Sequence, residues 1–347
     1  MPHIERILDA ARIAPSRDNL QPWRFVVDHE TVSFVVDHDR DRSPANADGR
    51  MARIAVGAAI ECALIRAGRM GVIVRVQPPE PGALATITFS SPKRDPEPDK
   101  ALLRRVTNRH AYDSRPVDDA TFAWLREATP PIELARTFWF GRERVKALGP
   151  IVEEAETLFF SDKRNREAAL GSIRFDVRDR GEVASGMSLG CMELSASERV
   201  TIDTLRRTPQ ERLATMGLFK KMGARARRLI ESASGVCLVT ASGSEPDVDL
   251  SVGRSMLRAW VALTRRGLVA HPMSSIPALD ALGDAGEAVA AVLASARSAF
   301  PNIERWSRIA LLMRFGWAPP PTVHVRRLPL ADSLGTASDA GAPSETP

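Results

Sequence analysis

A stretch near the start of the chain concentrates side chains suited to holding a polar ligand: Ala14-Pro15-Ser16-Arg17-Asp18-Asn19-Leu20-Gln21-Pro22-Trp23-Arg24-Phe25. Asn19 and Gln21 each carry donors and an acceptor on one amide. Ser16 is a small hydroxyl that lets a backbone come close, and Pro22 and Trp23 stiffen and bury the turn. Any two of these residues would read as a polar turn before a core tryptophan; the full string is more specific. A second constellation, Arg105-Val106-Thr107-Asn108-Arg109 followed by Tyr112-Asp113-Ser114-Arg115-Pro116-Val117, brings guanidinium forks and a hydroxyl together. That donor set suits a phosphate, although a solvated, charged helix end would read the same way. Two further segments are Gly267-Leu268-Val269-Ala270-His271-Pro272-Met273-Ser274-Ser275 and Arg326-Arg327. His271 is the tempting acid–base candidate, with packing as the plainer role.

The elements that must position these residues alternate between helix and strand. Helices are expected over 4–13, 51–70, 118–128, 142–170, 201–230 and 248–266, with short ones within 278–299. Strands are expected over 23–27, 32–36, 72–76, 85–89, 137–140, 235–240 and 309–314. Pro272 and Pro277 bracket an expected loop at Met273–Ile276. Ser91–Lys100, with three prolines and mixed charge, reads as a linker. Residues 171–196 lack a clear period and read as a loop or lid, and 331–347 reads as a disordered tail.

Composition sets the outer limits. The 347 residues are 44% hydrophobic and 26% charged, a globular balance. The best membrane candidate, 51–74, is broken by Arg53, Glu61, Arg66 and Arg69, so no span is expected, and Met1–Arg6 does not open like a signal peptide. Cys62, Cys191 and Cys237 have neither disulfide-framework nor zinc spacing, which fits a cytoplasmic location and no metal. The net charge of +5 comes with dispersed arginines and only 5% aromatics, so nucleic acid is not expected as a partner.

An internal repeat bears on the architecture. Val56-Gly57, a helical run and Gly71-Val72 match Val252-Gly253, a helical run and Gly267-Leu268, with the glycines 14 positions apart both times. The alternative is chance likeness of two helices that stop at glycine.

The string Pro15-Ser16-x-x-Asn19-x-Gln21-Pro22-Trp23 resembles the nitroreductase superfamily. Arg105–Arg109 with Arg115-Pro116-Val117 resembles the same superfamily's phosphate-binding opening, imperfectly, since Val106 interrupts the usual arginine–serine adjacency. Residues 311–319 and 325–330 resemble its C-terminal strand and arginine segment. Asp48-Gly49-Arg50, Ile173-Arg174-Phe175-Asp176, Gly186-Met187 and Arg314-Phe315-Gly316-Trp317 resemble the Acg-like group of fused two-unit FMN-binding proteins. The resemblance implies an α+β nitroreductase-like fold of two degenerate repeats, an intramolecular pseudo-dimer, with one unit over 1–98 and a second over 101–330. It also implies one FMN, touched by Ser16, Arg17, Asn19, Gln21, Arg105, Thr107, Arg109, Pro272, Met273, Ser274 and one of Arg326 and Arg327. The first unit holds the serine–asparagine string and the second the arginine opening, so the two halves complement each other in a single site.

What the resemblance implies for function is an oxidoreductase passing electrons from NAD(P)H to a nitro- or quinone-type small molecule. Flavin N5 would do the chemistry, with no side-chain acid or base required. Two other readings stay open: an FMN-sequestering protein with a closed lid, and a stress or interaction protein that kept the fold and lost the flavin. The pseudo-dimer is expected as a monomer or in a further homo-oligomer.

Overall fold

The computed structural model describes residues 2–77, 83–90, 97–175, 184–243, 245–283, 286–300, 303, 307–336 and 339. The chain opens with α1 (Pro2–Ala11), whose Ile4, Ile7, Leu8 and Ala11 recur at helical spacing and are buried. β1 (Trp23–Asp28) and β2 (Thr31–Val36) form a hairpin in which Phe25 faces Phe34, their rings edge to face at 5.1 Å. The alanine-rich α2 (Arg50–Met70) follows, then β3 (Ile73–Gln77) and β4 (Ala85–Ser90). The first sheet runs β1-β2-β4-β3, antiparallel throughout.

After α3 (Glu97–Arg104) the pattern begins again with α4 (Asp119–Ala128), N-capped by Asp118, and β5 (Ala135–Phe140). Where β1 and β2 are joined by a tight turn, the second unit inserts a helical excursion. It comprises α5 (Arg142–Ser161), α6 (Lys163–Gly171), a small ribbon of β6 (Ile173–Arg174) and β7 (Met187–Ser188), α7 (Ala196–Arg207), α8 (Gln210–Leu213) and α9 (Leu218–Glu231). The chain resumes with β8 (Gly235–Ala241), α10 (Pro246–Arg265) and β9 (Val269–Met273). Then α11 (Ser275–Ala281) and α12 (Glu287–Ser298) lead to β10 (Arg308–Gly316). The second sheet runs β5-β8-β10-β9, the first sheet's order repeated strand for strand.

The repeat is therefore topological. α2 and α10 are its matched central helices, ended by left-handed Gly71 (φ 73°) and Gly267 (φ 72°). They pack directly on each other. A Cβ on Gly57 would strike the carbonyl of Leu250, and one on Gly253 would strike that of Ile54. Each glycine thus admits the backbone three residues before its counterpart, the reciprocal contact of a pseudo-two-fold axis.

Several local expectations are corrected. The helix expected over 142–170 breaks at Asp162, which caps α6 by accepting from the Asn165 amide at 2.8 Å. The one expected over 201–230 breaks around Pro209 and at left-handed Gly217 (φ 63°). Met273–Ile276 is not a loop. Pro272 sits in β9, an edge strand where a missing N–H costs no ladder bond, and Pro277 lies in the first turn of α11, where no partner is needed. The tail is not disordered at its start: Leu330–Ser333 forms a 3₁₀ turn and Leu334 bridges to Phe25 beside β1, while 337–338 and 340–347 lie outside the described residues. Residues 91–96 of the expected linker and 176–183 of the expected lid also lie outside them, and 97–100 already belongs to α3.

Candidate functional site

One cavity lies between the units. The first unit contributes Pro15, Ser16, Arg17 and Asp18 from the turn before β1, and Met51 and Ile54 from α2. The second contributes Thr107 and Arg109, and His271, Pro272, Met273 and Ser274 at the end of β9. Of the residues expected at the site, Ser16, Arg17, Thr107, Arg109, Pro272, Met273 and Ser274 are brought together here.

The turn before β1 is strained. Asp18 (φ 48°), Asn19 (φ 58°) and Gln21 (φ 54°) all hold left-handed backbone. Ser16 Oγ accepts from the Gln21 amide at 2.9 Å and so closes the turn. Arg17 is tied back by Asp18 (3.3 Å), Asp41 (3.9 Å) and the Ser43 hydroxyl.

Asn19 and Gln21 do not line the cavity; they fasten other segments of chain to the turn. Asn19 Nδ2 donates towards the carbonyls of Ala184, Gly186 and Arg326. Gln21 Nε2 donates to Ala184 O at 2.6 Å, and Gln21 Oε1 accepts from the Leu328 amide at 2.9 Å. Two segments that the sequence leaves far apart, 184–186 and the C-terminal strap 326–328, are thereby fastened to the first unit. Arg326 is exposed and meets this site only through its carbonyl.

Arg105 and Arg327 lie half-buried behind the cavity wall, where Arg105 packs over Trp260 at 4.6 Å. Arg105 donates to Ile13 O (2.9 Å) and Arg327 to Ala14 O (3.2 Å), so both converge on the backbone leading into Pro15. Arg105 Nε is buried without a partner. Burial first, then Arg105, pulls Arg327 down to about 9. Among the described residues no carboxylate pairs with Arg105, Arg109, Arg314 or Arg327, whereas Arg17, Arg53, Arg66 and Arg258 each have one.

Register explains the His271 environment. His271 faces Arg314 across β9 and β10, and Arg314 Nε donates to His271 Nδ1 at 3.2 Å. Arg314 is fully buried. It spends its other nitrogens on the carbonyls of Leu229 and His110 and stacks over Tyr112 at 4.0 Å. Desolvation and the charges of Arg314, Arg109 and Arg225 hold His271 well below its ordinary pKa. A neutral imidazole that accepts at Nδ1 carries its proton on Nε2. His271 is therefore a hydrogen-bond donor at the cavity, not a base poised near neutrality.

Sequence reading missed three contributors. Asn108 is fully buried and pins the arginine segment: its amide donates to Ala270 O at 3.0 Å and its side chain to Pro319 O at 2.7 Å. Glu156 on α5 and Arg225 on α9 reach the cavity from the spans expected as helices over 142–170 and 201–230. Burial raises the Glu156 carboxyl, against the opposing effects of the Ser275 hydroxyl and Arg225. Six of the chain's ten methionines also line the cavity, a soft and adaptable wall.

Comparison with known proteins agrees with the sequence motifs. The chain is 30% identical over 131 residues (35% of this chain, 40% of the relative) to a Mycobacterium tuberculosis protein named provisionally as an NAD(P)H nitroreductase, acg. The sequence likeness to a nitroreductase thus covers about a third of this chain. The chain is also 25% identical over 345 residues to the uncharacterized protein MT1398 of M. tuberculosis, covering 94% of this chain and 47% of that protein. The chain thus spans about half the length of the curated relatives it matches. Similar solved structures include an FMN- and NADPH-dependent nitroreductase, NfnB, of Sphingopyxis sp. strain HMH (17% identity, 69% of this chain and 97% of that one, TM-score 0.40). Another is the FMN-dependent NfnB of M. smegmatis in complex with NADPH (15%, 69% and 97%, TM-score 0.39). No family model matches.

Proposed function

We propose that this nitroreductase-like chain is an FMN-dependent oxidoreductase that takes electrons from NAD(P)H and passes them to a small-molecule acceptor of the nitro or quinone type. The observation that carries the reading is the cavity built jointly by the Ser16–Asp18 turn of one unit and the Thr107–Arg109 and His271–Ser274 segments of the other. The donor set fits FMN. Arg105 and Arg327, lacking carboxylates and converging on one stretch of backbone, suit its phosphate, and the unpartnered Arg105 Nε is a donor waiting for an acceptor. Ser16, Thr107 and Arg109 suit its ribityl chain, and Pro272–Ser274 its ring.

Bound there, FMN would supply hydride transfer. The chain's own part is to bind, orient and shield. The guanidiniums acting on His271 create a positive field that favours negative charge in the cavity, and His271 Nε2 adds a neutral donor. Methionine, phenylalanine and Trp260 side chains keep water out. No side chain need exchange protons with FMN in this scheme.

A second reading is an FMN-sequestering protein with little turnover. It is favoured by the clamp of Asn19 and Gln21 on 184–186 and 326–328, which holds chain over the turn that would face the ligand. Anaerobic stopped-flow spectroscopy of the FMN-loaded protein with NADPH and then NADH separates the two. Rapid bleaching of the oxidised-flavin band supports turnover; stoichiometric FMN that neither nucleotide reduces supports sequestration.

A further inference from the structure

The helical excursion of the second unit encloses a groove of its own, between α7 and α9. Its volume is about 530 Å³, within the range of small-ligand sites. From α9 it receives Lys221, Arg225 and Arg228, spaced i, i+4 and i+7 along one face. From α7 it receives Ser197, Glu198, Val200 and Thr201. Ile202, Met222 and Arg225 line both this groove and the cavity between the units, so they form the wall that the two share.

Cations at helical spacing repel one another unless something negative lies between them. Among the lining residues three cations meet one carboxylate, Glu198. That carboxylate serves as an anchor. Its Oε1 lies 3.2 Å from Arg225 Nε and accepts from Arg228 Nη2 at 3.0 Å; its Oε2 accepts from the Ser195 amide at 2.9 Å. One oxygen thus plants the two guanidiniums side by side. Arg225 Nη2 donates to Met192 O at 3.1 Å, and Glu156 acts on Arg225 from the cavity side. Arg225 Nε is buried yet makes no hydrogen bond. Among the described residues Arg225 Nη1, Arg228 Nε and Nη1, and Lys221 Nζ have no partner either.

We propose that this groove binds a small organic phosphate, a monoester held by Lys221, Arg225 and Arg228, with its organic part against Val200, Ile202 and Met222. The charges match: three cations and one carboxylate leave two positive charges, and a phosphate monoester carries about two negative ones near pH 7. A singly charged carboxylate would balance half of that. Guanidinium forks take phosphate oxygens in pairs, and the ammonium adds a point charge. Val200, 66% exposed, gives a ring or sugar apolar surface beside the charges. Two sources carry this chemistry: the 2′-phosphate of a nicotinamide nucleotide whose ring enters the adjoining cavity, or a free phosphate ester. The first rests on the oxidoreductase reading above; the second does not.

The test is isothermal titration of the full chain, carrying one equivalent of FMN, with adenosine 2′-phosphate and with adenosine. The ester should bind about tenfold more tightly than adenosine, the worth of a charge-assisted hydrogen bond. Lys221→Met and Arg228→Met, both at exposed positions, should each weaken the ester about tenfold and leave adenosine unchanged. Equal binding of the two probes, ester binding that survives both variants, or variants that weaken both probes alike overturns the proposal. NADPH and NADH in the same titration identify the source. A preference for NADPH that Lys221→Met erases assigns the groove to the nucleotide's 2′-phosphate; equal binding of the two nucleotides beside a tightly held ester assigns it to a free phosphate ester. Flavin absorbance keeps the two readings apart. Ester binding that depends on Lys221, in a chain whose flavin neither nucleotide bleaches, rejects turnover and leaves the groove; bleaching without ester preference rejects the groove alone.

Discussion

Arg53 and Asp249 occupy the same position in the two repeats, and they are each other's partner, with Nε 2.8 Å from Oδ2. A position on a two-fold axis faces its own copy, so a symmetric homodimer would set like against like there. A fused chain can place opposite charges at that one position. Asp249 is buried and also pairs with Arg308 of β10, so one carboxylate joins α2 of the first unit to the sheet of the second. Asp249→Ala should lower unfolding stability by about 3–5 kcal/mol, because it strands a buried guanidinium. Adding Arg308→Met should recover much of that loss in urea denaturation; no recovery would mean that the buried charge is not the cause.

The glycine crossing gives a second test. Gly57→Ala and Gly253→Ala each force a methyl group into a facing carbonyl. Each should cost about 1–3 kcal/mol through helix separation. The double variant should cost less than the two together, since one displacement relieves both clashes. Thermal melts of the three variants decide this, and strict additivity would argue against a shared crossing.

If Arg105 and Arg327 hold a phosphate, the protein should prefer FMN to riboflavin. Arg105→Met or Arg327→Met should weaken FMN by about 10- to 100-fold, the worth of a charge-assisted hydrogen bond, and leave riboflavin nearly unchanged. Fluorescence titration with both ligands checks it. Equal losses for FMN and riboflavin would point to a collapsed wall instead.

His271 predicts a pH effect of known sign. Its folded pKa lies below the ordinary 6.5, under desolvation and the charges of Arg314, Arg109 and Arg225. Below pH 6.5 the unfolded chain therefore binds the extra proton. This contribution to stability is fully present above that pH and is lost as pH falls, by up to about 1.4 kcal/mol per pH unit, until the folded imidazole protonates. Glu156, raised in the folded state from 4.5, works in the opposite direction, favouring folding in acid and losing that advantage as pH rises. The curve of wild type minus His271→Gln isolates the histidine; a flat difference between pH 7.5 and 5 would refute the buried, neutral assignment.

Much of this protein was legible in the residue string. Hydrophobic period and turn chemistry located the paired strands before α2, and α2 and α10 themselves, because those signals are local. Gly57, Gly71, Gly253 and Gly267 disclosed the repeat, since a helix crossing and a left-handed stop both demand a missing side chain. Ser16, Arg17, Thr107, Arg109 and Pro272–Ser274 were nominated by motif and meet at one cavity. What only the tertiary structure decided are the partners. Asn19 and Gln21 have the amides to face a ligand and instead fasten segments more than 160 and 300 residues away. Glu156 and Arg225 sit in charged helices where nothing local separates the side chain facing solvent from the one facing the cavity. His271 became a fixed donor only when strand register set Arg314 against it. Burial, charge pairing and protonation depend on what comes from elsewhere in the chain, and no local pattern contains that.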